Sequence, residues 1–255
     1  MRRDIDEALQ GWPFNPEPGE IVAREIRARD GRMVLQVRVE LGMLQLEVEG
    51  RPDGTRPHGF GDYLAYMRHR AASRGLAPAG KAPSWTMNEE HATEVDREFI
   101  QFYHRRVAWL ALQRYDRALL DAEHTIALMD FITRHGVDED YVDKHERFRG
   151  LVVFHGTQAM TAMALEKRKP DEAIDNVQEG LQSLRKHQTT WLEKHEGEES
   201  INDPLIEQLR VLETEIRKNF AVEKTLKEQL DEAVAHEDYE KAARLRDQIR
   251  ARSGR

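Results

Sequence analysis

The chain has 255 residues, no cysteine, a formal net charge of −8 at pH 7, and 34% charged against 7% aromatic residues. The length allows one large domain or two small ones. The missing cysteine excludes disulfides, thiolate metal sites and a cysteine nucleophile, and the acidic balance disfavours non-specific nucleic-acid binding, which needs a basic surface.

No apolar run approaches membrane-spanning length. Residues 1–14 (MRRDIDEALQGWPF) carry arginines with no apolar stretch behind them, so they do not read as a secretory signal. The expected compartment is the cytoplasm of a bacterium-like cell, with no membrane partner.

In chain order, the first ten residues suit a short helix closed by Gly11, and Trp12, Pro13 and Phe14 form an apolar plug expected to pack on the domain. Residues 21–28 and 33–41 flank Asp30-Gly31, a hairpin-turn signal. Leu35, Val37 and Val39 alternate with Gln36, Arg38 and Glu40, which predicts one buried face. After Gly42 the apolar set becomes Leu44, Leu46 and Val48, so Gly42 marks a bulge or a turn into a third strand. The pattern is a small antiparallel sheet. Residues 50–60 (GRPDGTRPHGF) form a turn-rich loop, 62–73 a helix ended by Gly75, and 76–87 a proline-broken linker.

Everything after Asn88 has helical spacing. Asn88 is an N-cap with Glu89 and Glu90 behind it. Val95, Phe99, Phe102, Tyr103, Val107 and Leu110 mark the first helix of this region. A second runs from about Asp116 to Gly136, a third over 138–167, a fourth from Pro170 to near Gly197, and a fifth from Asp203-Pro204 toward the C-terminal segment. Ala118 and Ala173 each sit early in a second helix after a polar turn, a degenerate tetratricopeptide-like pattern. The first-helix glycine of that repeat is missing from both, and an ordinary helix bundle gives the same spacing.

The expected fold class is therefore α+β, mainly α. A small antiparallel-sheet domain (1–75) and a linker (76–87) precede a helical, repeat-like bundle (88–221) and an αα-hairpin (222–252). The last part reads VEKTLKEQLDEAVAHEDYEKAARLRDQIRAR. Leu226, Leu230 and Val234 recur every fourth residue, His236-Glu237-Asp238 interrupts, and Tyr239, Ala242, Ala243, Arg246 and Ile249 are assigned to one face of a second helix. Helices this short are marginal alone, so the hairpin needs a partner, either the rest of the chain or another protein.

Leu226, Leu230, Tyr239, Glu240, Ala242, Ala243, Leu245, Arg246, Asp247 and Ile249 resemble the UVR motif, a module of UvrB, of UvrC and of adaptor and regulatory proteins in the bacterial Clp protease system. Tyr239 stands where phenylalanine is commoner. A Lys/Glu-rich helical tail explains the periodicity but not the Ala-Ala-x-Leu-Arg-Asp-x-Ile string. The resemblance implies a helical hairpin that pairs with another protein, often with another such hairpin. Leu226, Leu230, Tyr239, Ala242, Ala243, Leu245, Arg246 and Ile249 are then the partner-binding residues. Partners of UvrB/UvrC type, of Clp type, and a second copy of the chain all remain open.

Other constellations are weaker. Residues 75–82 (GLAPAGKA) approach a phosphate-binding loop, but Ala82 stands where a hydroxyl would hold Mg²⁺, and a basic helix precedes it instead of a strand. No cofactor is expected. Asp121 with His124, and His145 near Asp143 and Glu146, read as solvated helix faces, so no metal site is expected. Asp138, Glu139, Asp140 and Asp143 suit a helix start. Arg51, Arg56 and His58 are the candidate anion or ligand residues, expected to converge at an accessible loop tip over a buried Phe60. In the alternative, the arginines pair internally with carboxylates such as Asp53 or Asp62. The leading expectation is a non-enzymatic adaptor or scaffold tied to nucleotide excision repair or to Clp-type proteolysis. The competing one is a nucleic-acid-binding repair accessory protein that uses the basic loop.

Overall fold

The computed structural model describes residues 5–14, 17, 19–73, 85–196, 200 and 202–253. The phosphate-loop-like residues 75–82 and most of the 76–87 linker lie outside them. The fold is α+β and mainly α: a three-stranded antiparallel sheet, a succession of helices, and a closing helix pair. The chain divides into two compact units, Met1–His155 and Gly156–Arg255. This division falls at neither boundary read in the sequence. The sheet shares a unit with the first long helices, and the C-terminal hairpin shares one with the helices before it.

In the first unit a short helix α1 (Asp6–Leu9) precedes β1 (Ala23–Arg27), β2 (Met33–Val39) and β3 (Gly42–Glu47), paired in that order. Gly31 takes the left-handed conformation (φ 90°) in the first turn, and Asp30 accepts from the Arg32 N–H. Val39 pairs with Gly42, so Glu40 and Leu41 are a two-residue turn and Gly42 opens the third strand. Leu35 faces Leu46 and Val37 faces Leu44 in the register.

The expected single buried face needs correction. Val34, Leu35, Gln36 and Val37 are all buried, while Val39 is exposed. Gln36 tolerates burial because Arg24 Nε donates to its carbonyl (2.8 Å) and its amide donates to Gln45 (3.0 Å). Arg24 also donates to the Ala8 carbonyl and stacks on Trp12 at 3.9 Å. The apolar plug therefore packs through a cation–π contact at Trp12, and Phe14 remains exposed. The other face, with Leu35, Val37 and Leu46, lies toward the helices, and α3 packs on β1 and β2.

Helices α2 (Tyr63–Ser73), α3 (Glu89–Ala111), α4 (Tyr115–His135) and α5 (Glu139–Glu146) follow. Asn88 caps α3 with His91 as reciprocal partner, and Asp138 caps α5. Tyr63, Leu64 and Met67 of α2 form a core with Val95, Leu128 and Ile132. Each such side chain contributes about 1.5–3 kcal/mol on burial. The helix expected over 138–167 is broken: α5 stops at Glu146 and α6 (Arg149–Glu166) begins three residues on. Arg147 keeps right-handed angles (φ −52°, ψ −30°), so the break has no glycine or proline signature. Arg149 bridges it, pairing with Glu146 and Asp130.

The second unit contains α7 (Pro170–Lys194), α8 (Asp203–Phe220), α9 (Leu226–Ala235) and α10 (Tyr239–Ser253). Ala221 adopts a left-handed conformation (φ 53°), which ends α8 before the hairpin. The Val222 N–H bonds back to the Arg217 carbonyl (3.1 Å), and the same turn geometry recurs at three other helix junctions. Gln113, Arg168 and Glu237 are left-handed. The next residue then bonds back across the turn: Arg114 to Trp109, Lys169 to Ala164, and Asp238 to Ala233, at 2.8–2.9 Å. This is the Schellman arrangement built without glycine. Each turn is followed four residues later by a buried alanine: Ala118, Ala173 and Ala242. No helix among the described residues is long and apolar enough to cross a membrane.

Within the second unit α6 and α7 approach closely at Gly180. A Cβ built there would lie 2.3 Å from Thr157 Oγ1, and Thr157 is buried. Overpacking of this kind costs about 1–3 kcal/mol, against roughly 1 kcal/mol gained in helix propensity. Gly180→Ala should therefore lower the unfolding free energy measured by urea denaturation. Adding Thr157→Gly to the same chain should recover part of the loss, because the Thr157 Cβ itself would lie 2.9 Å from the new methyl group and must also be removed.

Candidate functional site

The C-terminal hairpin has a seam, a fixed base and an exposed tip. Ala233, Ala242 and Leu245 are buried in the seam, with Leu226 and Leu230 packed against them. Ala243 and Ile249 are half-buried and Arg246 is exposed. Tyr239 is 70% exposed and Val234 53%. The faces assigned from the sequence therefore shift. At about 100° per residue, Ala242, Leu245 and Ile249 share an arc of about 60°, and Tyr239 and Arg246 fall beside it. On α9, Ala233 joins Leu226 and Leu230 in the seam, and Val234 turns outward.

The base is polar. Thr225 caps α9 and is fully buried. Its hydroxyl donates to Asp175 of α7 (2.8 Å), while Glu228 accepts from Gln178 of α7 (2.7 Å) and pairs with Arg217 of α8. Lys227 pairs with Glu179 at 2.6 Å. Burial holds the Asp175 carboxyl above its ordinary range, against the lowering effect of the Thr225 hydrogen bond and Lys227. At the other end Asp238 accepts from the Lys241 N–H (3.0 Å) and starts α10.

The three candidate residues of the 51–60 loop do not converge. Arg51 is 3% exposed and turned inward, paired with Glu94 (2.9 Å), Asp53 (3.5 Å) and Glu98 (3.6 Å). Arg56 is exposed. His58 is exposed and stacks on Tyr66 at 3.9 Å. Phe60 is only half-buried, against Tyr66 and His69. Arg51 is inward because α3 presents two carboxylates to it, an arrangement close to the internal pairing weighed above but centred on α3.

The seam of α3 holds charges that the sequence pattern did not single out. Val95, Glu98, Phe102, Arg105 and Trp109 are all buried at alternating three- and four-residue spacing. Glu98 accepts from the Tyr63 and Leu64 N–H groups at the start of α2 and from His124 (3.1 Å). Arg105 makes a two-pronged bond to Asp121 of α4 and donates to the Glu47 and Gly50 carbonyls behind β3. The sequence signal was a charged residue at core spacing.

Asp121 and His145 are thus buried, contrary to the solvated faces expected, and half-buried His124 stacks on Phe102 at 3.7 Å. Asp62, Glu98 and His124 offer ligand atoms within 4.8 Å of one another. Glu98 already serves two backbone donors, His124 and Arg51, and Asp62 accepts from Ala65. A cation would have to displace these bonds. Arg106, also buried on α3, donates to Thr125 (2.8 Å) and to His155 Nδ1 (3.2 Å). Burial lowers the Arg106 guanidinium to about 10 although Asp121 opposes it.

Residues 222–251 match the family model described as the UvrB/uvrC motif. No curated protein and no solved structure matches the chain.

Removing Arg51 would leave Glu98 buried beside fewer positive groups. Arg51→Ala should cost about 3–5 kcal/mol of stability, while Arg56→Ala should change it by less than about 0.5 kcal/mol; denaturant unfolding of both variants measures this. His155 gives a pH dependence. Burial and Arg106 push its pKa down to about 3, below the unfolded value of about 6.5. The unfolded chain therefore binds more protons between these values. The stability due to neutral His155 is complete above about pH 6.5 and is lost as pH falls toward 3. Between pH 7 and 4, unfolding midpoints of the native chain should fall more steeply than those of His155→Gln. Parallel slopes would contradict the assignment.

Proposed function

We propose that this chain is a non-enzymatic interaction adaptor that engages a protein partner through the distal part of its C-terminal hairpin. The observation that carries this is the exposure of Val234 and Tyr239 at the tip of a hairpin whose base is bound to α7 and α8. Exposed large apolar side chains on a fixed support suit a contact that buries them, and tyrosine is enriched among residues that dominate binding energy. The matched UvrB/uvrC motif supports the same conclusion. Its occurrence in UvrB, UvrC and Clp-system adaptors makes a protein with a complementary helical hairpin the partner class, in repair or in proteolysis. A second copy of this chain is the homodimeric form of the same contact. Direct nucleic-acid binding by the 51–60 loop has less support, because Arg51 spends its charge on Glu94, Asp53 and Glu98.

The test is affinity capture and sedimentation with the full chain, with Tyr239→Ala, with Val234→Asp, and with a chain ending at residue 221. Each substitution should weaken association roughly tenfold or more. Thermal unfolding should change little, because both side chains are exposed. Undiminished association in both variants would refute the proposal.

A further inference from the structure

A cavity of about 450 Å³ opens in the first unit, lined by residues of α3, α5 and α6 and of the break between the last two. That volume lies in the range of small-molecule sites. Its wall is apolar: Phe99, Ile100, Tyr103, Phe148, Leu151 and Val152. Ile100 is 54% exposed, Phe148 47% and Tyr103 37%, so aromatic and aliphatic surface faces outward at the mouth.

The polar lining is Asp96, Lys144, His145 and Arg106, and the first three are tied to one another. Asp96 is already engaged, accepting from the Tyr141 hydroxyl (2.8 Å) and lying 3.0 Å from His145 and 3.4 Å from Lys144. Arg106 lines the same cavity and is 1% exposed. Its two hydrogen-bond acceptors, Thr125 and His155, are neutral groups. Among the described residues no carboxylate lies within ion-pair distance of it. Asp121, the acidic group that acts on it electrostatically, is already held in a two-pronged bond by Arg105. A guanidinium stays charged at neutral pH and offers five N–H donors in a planar fork suited to a carboxylate. A buried cation without a bound anion is costly to keep.

We infer that this cavity binds a small monoanion with an apolar body, an aromatic or aliphatic carboxylate, whose anionic end meets Arg106 and whose body packs on Phe99, Tyr103 and Phe148. The Arg106 contact selects charge, and the aromatic wall supplies apolar burial that a neutral analogue shares. Recognition therefore separates into two measurable parts. The site is independent of the C-terminal hairpin and goes beyond the adaptor role.

Isothermal titration of the full chain with 2-naphthoate and with its neutral isostere 2-naphthalenemethanol tests this. The acid should bind roughly tenfold or more tightly than the alcohol, as expected for hydrogen bonds to a charged partner. Arg106→Gln should abolish that preference and leave the alcohol affinity near its original value. Circular dichroism establishes whether this buried variant folds. If it does not, Ile100→Glu at the exposed mouth decides: it should weaken the acid roughly tenfold by charge repulsion and leave the alcohol much less affected. Failure of the native chain to bind the acid at millimolar concentration would overturn the inference. So would equal affinity for acid and alcohol, a preference that survives Arg106→Gln, or unchanged acid binding in Ile100→Glu.

Discussion

The first unit depends on two buried charges of α3, Glu98 and Arg105, each placed where a helix seam normally carries an apolar side chain. A buried ion is tolerated only when its hydrogen-bonding capacity is filled, and here the partners come from distant parts of the chain. Glu98 accepts the first N–H groups of α2 and meets His124 of α4 and Arg51 of the loop after β3. A carboxylate at a helix start also faces the positive end of the helix dipole. Arg105 joins Asp121 of α4 to carbonyls at the end of the sheet. Sheet, loop, α2 and α4 are therefore referenced to one helix, and the sheet-bearing segment and the first helical pair form one compact unit.

The same interactions explain why the loop of residues 50–60 is structural at its root. Arg51 lies against α3, and its backbone N–H bonds to the Gly61 carbonyl, closing the loop. Gly50 takes φ 66°, and a Cβ there would lie 3.1 Å from the Gly61 carbonyl oxygen, so the close approach favours glycine. What remains outward is Arg56 and a His58 ring lying on Tyr66. The basic character of the segment in the sequence overstates its basic surface, because ion pairs on the inside neutralise part of it.

The hairpin divides its chemistry along its length. Near the start of α9 it is held by a capping threonine bonded to Asp175, a bridging glutamate and ion pairs to α7 and α8. Near the turn its alanines close the two helices on each other, and the larger Val234 and Tyr239 are left outside. Small residues in the seam and large ones beside it follow from close helix packing: the nearer the backbones, the less room the seam has for an aromatic ring. The hairpin is thus attached at one end and offers unburied apolar surface at the other.

Some of this was legible in the sequence. The strand alternation and Asp30-Gly31 gave the antiparallel sheet, Asn88 and Asp138 gave helix starts, and the Ala-Ala-x-Leu-Arg-Asp-x-Ile string gave the matched motif. These are local signals, fixed by turn chemistry, by capping hydrogen bonds and by side-chain periodicity. The break between α5 and α6, the α3 carboxylates as the chief partners of Arg51 and the exposure of Tyr239 were not legible. Each was decided by packing and ion pairs between elements rather than by the pattern within one element. Arg149 reaches both Glu146 and Asp130, Arg51 finds Glu94 and Glu98 on another helix, and Ala233 rather than Val234 fits the narrow seam opposite Ala242. Periodicity states which residues share a stripe, but the partner's shape and charge decide which edge of that stripe is buried. That partner exists only once the chain has folded.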